Sequence, residues 1–504
     1  MLFPTITFAI FFLIVLPLNW WLAPRVRKRA RSGGPAVEIS QDGYGSEVSG
    51  PSDGESLRGS DRAVGWKLFL LGASYVFYGA WDWRFVGLLV LSTLANALFA
   101  HLIANARGMA VRRSWLTVAV IANLGVLGWF KYYGFFATSF VNALSKVGLT
   151  YDLPIYDIIL PVGISFFTFQ ALSYVIDVFR RDTRPAGLLD VAVYLAFFPQ
   201  IVAGPIVRAT EFLPQLRNHM SAREVDWVRA GWLICAGLFK KVVISSFLAE
   251  AIVDPVFANP AGHSSPELIV AVYAFAVQIY ADFSGYTDIA IGIALLLGFK
   301  LPDNFNAPYM AATIRDFWQR WHMTLSRWLR DYLYIPIGGS QGSQARTTVN
   351  LMITMLLGGL WHGAAWNFVA WGGIHGSALA YEHFTEASGR ELKPANVWLR
   401  RLVTFNIVCL AWIFFRAETF GDSFTIVTRI FYAWGPAPLV TPLVLIVIAL
   451  SIAAQYVPNE AMDKVRDGLR RLGPAACAVG FALALVAIDA FGPEGVAPFI
   501  YFRF

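Results

Sequence analysis

Apolar stretches long enough to cross a bilayer recur from one end of this chain to the other, and short basic clusters separate many of them. A helix needs roughly 20 apolar residues to span the hydrocarbon layer. Thr5 to Leu22, Ala63 to Ala106, Trp115 to Phe140, Trp227 to Ala251, Leu268 to Phe299 and Val349 to Tyr381 approach or exceed that length. Ile155 to Phe179, Leu188 to Val207, Leu402 to Phe415, Leu439 to Ala454 and Ala475 to Phe491 add further candidates. Lipid offers no partner for backbone amides, so each crossing segment closes its own hydrogen bonds as a helix. The expected fold class is all-α: a polytopic membrane protein of roughly 10–12 spans, some of them half-length. Composition agrees, because 14% of the 504 residues are charged and 57% hydrophobic, whereas soluble proteins carry roughly 25% charged residues. The net charge of +7 sits in loops between apolar runs, which fits the positive-inside rule better than nucleic-acid binding.

Arg25, Arg27, Lys28, Arg29 and Arg31 follow the first apolar stretch, which places the N-terminus on the outer side of the membrane. The basic cluster follows the apolar segment rather than preceding it, so a first span is expected and not a signal peptide. Arg107, Arg112 and Arg113 fall on the same side as the first cluster if two spans meet near Trp81-Asp82-Trp83-Arg84. Between them Ser32 to Asp61 is rich in Gly, Ser, Asp and Glu and poor in large apolar residues, and it reads as a disordered cytoplasmic loop. Residues 1–504 otherwise form one membrane-embedded domain. Breaks such as Leu160-Pro161-Val162-Gly163 and Phe198-Pro199-Gln200 are tolerated at membrane depth only beside protein or a wet cavity. Cys235, Cys409 and Cys477 lie far apart and read as packing residues, with no disulfide framework or metal site.

Chemistry concentrates in three places. In RDFWQRWHMTLSRWLRDYLY (Arg315 to Tyr334), a helical reading puts Trp318, Trp321, His322, Leu325, Trp328, Leu329 and Tyr332 on one face and Arg320, Thr324, Arg327, Arg330 and Asp331 on the other. That is the pattern of an amphipathic helix at the membrane surface. A lone histidine on an apolar face is more often a packed core residue than a catalyst, but His322 is not alone. In GGLWHGAAWN (Gly358 to Asn367), His362 interrupts an otherwise neutral span. An ionisable group at that depth is expensive, and it is a functional-site hypothesis by default. Its plain alternative is a hydrogen bond that glues two helices. His375 and His383 read as structural or interfacial, and His101, His219 and His263 carry no signal alone. In QIYADFSGYTD, Asp282 and Asp288 lie inside an apolar run, either as scaffolding or as partners that orient a histidine. No HExxH, GxSxG or phosphate-binding loop occurs.

Together these stretches resemble the membrane-bound O-acyltransferase family, and within it the bacterial branch that acylates alginate or teichoic acid. The matching text is FFPQIVAGPIVR, GLFKKVVI, YADFSGYTDIAIG, LPDNFNAPY, FWQRWHMTLSRWLRDYLYIPIGG, GLWHGAAWNFVAWGGIHG and the terminal FIYFRF. The Ser32 to Asp61 insertion is longer than that branch leads one to expect. The resemblance implies a ring of helices around a thin central region, with a cytosolic funnel and a passage to the opposite face. It implies that His362 is the more general catalytic residue and His322 the second, at a position held by Asn in many eukaryotic relatives. It also implies a donor thioester, acetyl-CoA or an acyl carrier, with no permanently bound cofactor. A separate periplasmic acetyltransferase of the SGNH type is the implied partner, and it modifies an envelope polysaccharide.

The residues fit those requirements. Acyl transfer from a thioester needs a base for the acceptor hydroxyl and donors for the developing oxyanion. His362 is the expected base, and His322 is expected to position the acyl group or stabilise charge. Trp361, Asn367, Trp366 and Trp318 are expected to line the site. Arg315 and Arg327, with Arg320 and Arg330, would meet the phosphates of coenzyme A or phospholipid headgroups equally well. Teichoic-acid D-alanylation is the alternative within the family. A secondary transporter of a small solute is the alternative from another class; it explains the broken helices but not two tryptophan-flanked histidines.

Overall fold

The computed structural model describes residues 3–24, 60–149, 151, 153–154, 156, 158–388, 396–492 and 500, and no strand occurs among them. The Arg25–Arg31 cluster, all but the last two residues of the Ser32–Asp61 segment and most of the terminal motif lie outside the described residues. The helices are α1 (Ile6–Leu22), α2 (Ser60–Gly79), α3 (Arg84–Asn105), α4 (Met109–Leu127), α5 (Tyr133–Lys146), α6 (Ile164–Arg180), α7 (Leu188–Ala196), α8 (Phe198–Ile201) and α9 (Ala209–Arg217). Then follow α10 (Trp227–Leu238), α11 (Ser246–Leu248), α12 (Asp254–Ala258), α13 (Ser265–Leu296), α14 (Ile314–Arg320), α15 (Met323–Leu329), α16 (Gln344–His362) and α17 (Trp366–Ala387). The chain ends in α18 (Val397–Arg416), α19 (Phe420–Tyr432), α20 (Pro442–Ala454), α21 (Asn459–Leu472) and α22 (Pro474–Phe491).

Six of the described helical stretches are long and apolar enough to cross a membrane by length and composition: α3, α4 through α5, α10 through α12, α13, α18 and α22. α1 and α20 are equally apolar but shorter. The protein is a multi-pass, all-helical membrane protein. α13 runs through its middle with nearly every side chain buried, packed by α10, α18, α19 and α20. Its start is fixed by a capping box, in which Ser264 and Glu267 satisfy each other's backbone amides. Its end is tied to α1 and α2: Asn19 donates to the Leu297 carbonyl at 3.2 Å and accepts from the Trp66 indole at 2.8 Å. Ile6, Leu13 and Trp21 on α1, Leu91 and Leu98 on α3, and Leu483 and Val486 on α22 stand exposed. In an all-helical membrane protein these are the lipid-facing surfaces.

Two helix pairs close to backbone contact. A Cβ on Gly359 would lie 2.1 Å from the Phe368 carbonyl, and one on Gly372 would lie 2.3 Å from the Met355 carbonyl. α16 and α17 therefore form a hairpin with no room for a side chain between them. Gly237 and Gly285 do the same for α10 and α13. Small residues bring membrane helices this close, and dispersion contacts then hold them.

The single amphipathic helix expected over Arg315–Tyr334 is not present. α14 ends at Arg320, Trp321 is extended, and His322 takes a left-handed conformation (φ 43°, ψ 53°) before α15 begins at Met323. Trp321 and His322 at the break are fully buried, while Arg315, Arg327 and Arg330 keep 39–60% of their side chains exposed. The break rotates α15 relative to α14, so Thr324, expected on the outer face, is also buried.

Candidate active site

The break in the α14–α15 helix is held by an asparagine from the preceding loop. The Asn304 side-chain oxygen accepts from the Thr324 backbone amide at 3.1 Å and from the Thr324 hydroxyl at 2.9 Å, and it stands 3.2 Å from His322 Nδ1. The Asn304 carbonyl accepts from the Met323 amide at 2.9 Å. A backbone N–H only donates, so the atom facing it is the asparagine oxygen, and His322 Nδ1 must carry the proton. Nε2 is left with its lone pair. That nitrogen is buried and meets no hydrogen-bond partner among the described residues. A left-handed, non-glycine backbone is uncommon and costs of order 1–3 kcal/mol. Here it turns the imidazole into the bundle, where it meets the Phe283 ring edge-on at 4.7 Å.

His362 is the last residue of α16, and the chain reverses at once into α17. Its ring meets Trp371 at 4.9 Å and Phe415 at 5.3 Å. His362 also meets the Trp361 ring at 5.0 Å, and His322 meets the same ring at 5.9 Å. The two imidazoles, 40 positions apart in the chain, thus share one indole neighbour. His362 also lies within electrostatic reach of His322, Lys131 and His375.

A cavity of about 260 Å³ reaches His362 and Trp361 past Trp81, Lys131, Pro161, Gly163 and Ser165. A larger one of about 770 Å³ adjoins it, lined by Lys131, Ala365, Asn367, Arg416 and Glu418 among others, with Lys131 and Leu160 common to both. Gly163 at the head of α6 has φ 75°, and a Cβ there would meet the Ile201 carbonyl at 2.2 Å. The Pro161–Gly163 break therefore shapes the wall of the first cavity, as a broken segment beside a wet space should.

The other expected site residues divide. Trp361 lines the first cavity and Asn367 the second, where Asn367 donates to the Ala417 carbonyl at 2.8 Å. Trp318 is buried against Trp371 and His375, one ring removed from His362. Trp366 is mostly exposed and packs on Phe135, so it lines neither cavity. Arg315 sits at the far end of α17, 2.9 Å from Glu386, and Arg327 lies 3.7 Å from Glu211. Both are half-exposed and already face carboxylates. The same basic end holds Asp331, which Arg208 and Arg330 reach at 2.5 and 2.6 Å. Burial alone would raise that carboxyl, but the two guanidiniums outweigh it and hold it below the usual carboxylate range.

Asp282 and Asp288 do not orient a histidine. Asp282 is paired with Lys241 and accepts from the Ile500 amide at 3.0 Å, and Asp288 is 2.6 Å from Lys240. Both aspartates therefore join α13 to the π-helical turn after α10. An unpaired carboxylate in that setting would be prohibitively desolvated, so the lysines of GLFKKVVI are its physical requirement.

Three residues that sequence reasoning missed belong to this region. Asn304 carried no signal beyond its place in LPDNFNAPY. Lys131 lies within the Trp115–Phe140 stretch, and the rule that singled out His362, an ionisable group inside an apolar run, singles it out equally. His375 reads as structural from the sequence, because it would stand about three and a half turns beyond His362 if one helix continued through both. The hairpin turns it back, so that it shares Trp371 with His362, at 4.8 Å from that ring. No cluster of three or more potential metal ligands occurs among the described residues.

Residues 161–417 match the MBOAT, membrane-bound O-acyltransferase family. The chain is 40% identical over 369 residues to a probable alginate O-acetylase of Azotobacter vinelandii, covering 72% of each chain. It is 38% identical over 388 residues to a peptidoglycan O-acetyltransferase of Helicobacter pylori, covering 71% of this chain and 72% of that one. A teichoic acid D-alanyltransferase of Bacillus subtilis is 28% identical over 284 residues, covering 53% of this chain and 71% of the relative.

Proposed function

This chain belongs to the membrane-bound O-acyltransferase family and is an O-acyltransferase; from that premise we propose that it takes an acetyl group from a cytosolic thioester, acetyl-CoA or an acyl carrier, and passes it across the inner membrane for O-acetylation of an envelope or exopolysaccharide. The observation that carries this reading is the pair of imidazoles that both meet the Trp361 ring, beside a cavity lined by Trp361 and His362.

In this reading the acceptor hydroxyl enters the cavity and gives its proton to His362. The oxygen attacks the thioester carbonyl, a C–O bond forms, and the tetrahedral oxyanion collapses with loss of the C–S bond. The thiolate takes the proton back from the His362 imidazolium, so the products are an ester and a thiol. His322 is assigned the positioning of the acyl group rather than the stabilisation of charge. Its resting tautomer presents a lone pair at Nε2, which repels an oxyanion until that nitrogen is protonated. A separate periplasmic acetyltransferase is the proposed partner that completes delivery to the glycan. The positive-inside pattern puts the arginines around α14 and α15 on the cytosolic side and the N-terminus outside. Acetylation is preferred to D-alanylation because the named O-acetylases are 38–40% identical and the D-alanyltransferase 28%.

The test is the acetyl content of envelope glycan in strains that carry His362→Ala or His322→Ala, at matched protein levels. Loss of a general base costs about 10²–10⁴-fold, so acetylation should vanish in the first. Wild-type acetylation in His362→Ala defeats the assignment. Solute uptake without any thioester cleavage would favour a transporter instead.

A further inference from the structure

The last carbonyls of any helix have no amide donor within the helix, and they must find partners elsewhere. The usual solution is a left-handed glycine just past the end. α16 does not use it, because Gly363 is extended at φ −160°. The donors come instead from two successive side chains of another helix. The Tyr132 hydroxyl donates to the Leu360 carbonyl at 2.8 Å, while the Lys131 ammonium donates to the Trp361 carbonyl and, at 3.2 Å, to the His362 carbonyl. The same ammonium lies 3.4 Å from the Ser165 hydroxyl and 5.8 Å from the centre of the Trp361 ring.

Adjacent side chains on a regular α-helix point about 100° apart and do not readily converge on one target. Here they do because Gly128–Tyr132 is a π-helical turn between α4 and α5, and such insertions re-aim side chains. A lysine at this depth is costly, and a smaller neutral donor would suffice for capping alone. Its charge opposes the negative end of the α16 dipole at the residue that bears the imidazole.

We propose that Lys131 is a positioning residue: its ammonium clamps the end of α16 through the Trp361 and His362 carbonyls, and so fixes where the His362 imidazole stands in the cavity. The inference rests on the reading that His362 is the reacting base. It adds that the base is held by a cation from the turn between α4 and α5, a residue that lines both cavities.

The experiment uses the purified full-length protein in detergent with acetyl-CoA as the probe. Thiol release is measured in Lys131→Met, Lys131→Gln, Lys131→Arg and His362→Ala, per mole of monodisperse protein. A misplaced catalytic group costs about 10²-fold, so Lys131→Met should lose about that much in kcat. Its KM for acetyl-CoA should stay within about twofold. Lys131→Arg, which restores the charge and the donors, should recover at least about tenfold of the loss. If the methionine variant yields no folded protein, the glutamine variant replaces it, and arginine must exceed glutamine by the same margin. Wild-type kcat in the neutral variants, a loss confined to KM, or an arginine variant no better than the neutral ones would each overturn the assignment. An inactive His362→Ala beside a fully active Lys131→Met sinks this inference alone. A fully active His362→Ala sinks the reading of the site beneath it.

Discussion

Asn304 carries His322. One oxygen, 18 positions earlier in the chain, stands 3.2 Å from the imidazole Nδ1 while accepting the amide and the hydroxyl of Thr324. Because the Thr324 amide dictates which amide atom of Asn304 faces inward, the backbone of one residue sets the tautomer of another. A carboxamide oxygen orients an imidazole without adding charge to a buried site, where a carboxylate would need its own counter-ion.

Asn304→Ala should therefore do two things at once. The imidazole loses its anchor, and turnover of acetyl-CoA should fall about 10²-fold. The Thr324 amide is left unpartnered in a buried place, which should cost about 1–3 kcal/mol of stability. Thiol release and thermal unfolding in detergent measure the two separately. Wild-type kcat in a folded Asn304→Ala protein would dismiss the anchoring role.

Lys241 and Asp282 form a pair whose side chains are 2% and 4% exposed. Lys241→Met strands the carboxylate, with an expected loss of about 3–5 kcal/mol. Replacing both, with Asp282→Leu added, should restore most of that stability, because the penalty belongs to the unpaired charge and not to the missing bridge. A double variant as unstable as the single one would show that the pair is needed for its own attraction.

Gly359→Ala places a Cβ 2.1 Å from the Phe368 carbonyl, and backbone cannot yield as a flexible side chain does. The α16–α17 hairpin should open at an expected cost of about 1–3 kcal/mol. Since His362 lies three residues further on, turnover should fall in the fraction that remains folded. Unfolding midpoints and thiol release for the alanine variant decide it. An unchanged midpoint would mean the two helices are looser than their spacing implies.

His219 lies between α9 and α10, against Trp66 at 4.3 Å and Trp20 at 5.4 Å, with neither ring nitrogen hydrogen-bonded among the described residues. Burial pushes the imidazole down from the ordinary 6.5 to about 4. The folded protein holds it neutral, so its contribution to stability is complete above pH 6.5 and is lost as pH falls toward 4. The full change is on the order of 3 kcal/mol. His219→Phe should flatten the fall in melting temperature across that window. Parallel melting curves for the variant and the wild type from pH 7 to pH 4 would refute it.

Apolar length made the membrane helices legible in outline, although six described stretches rather than roughly 10–12 qualify as spans; α2 and α3 meet near Trp81, where the sequence placed a turn. The two histidines were legible as ionisable groups among tryptophans. What remained hidden has physical causes. Periodicity assumes an unbroken helix, and nothing in RWHMT announces that His322 is left-handed, because the reason lies in Asn304. The same assumption separated His375 from His362, although Gly363 to Ala365 reverse the chain. Asp282 and Asp288 are explained only by Lys240 and Lys241, one helix away. Lys131 was legible by the rule already applied to His362, as an ionisable group inside the apolar Trp115–Phe140 stretch.

The left-handed backbone at position 322 narrows the alternatives open to mutation and drift. Side chains tolerant of a positive φ are few: glycine, then asparagine, aspartate and histidine. Of these, glycine brings no functional group, and aspartate brings a charge with no lysine or arginine among the contacts described around His322. Only two residue types then satisfy both the main chain and the need for a neutral hydrogen-bonding tip. The geometry of a kink, set before any substrate arrives, thus limits which reagents evolution can install there.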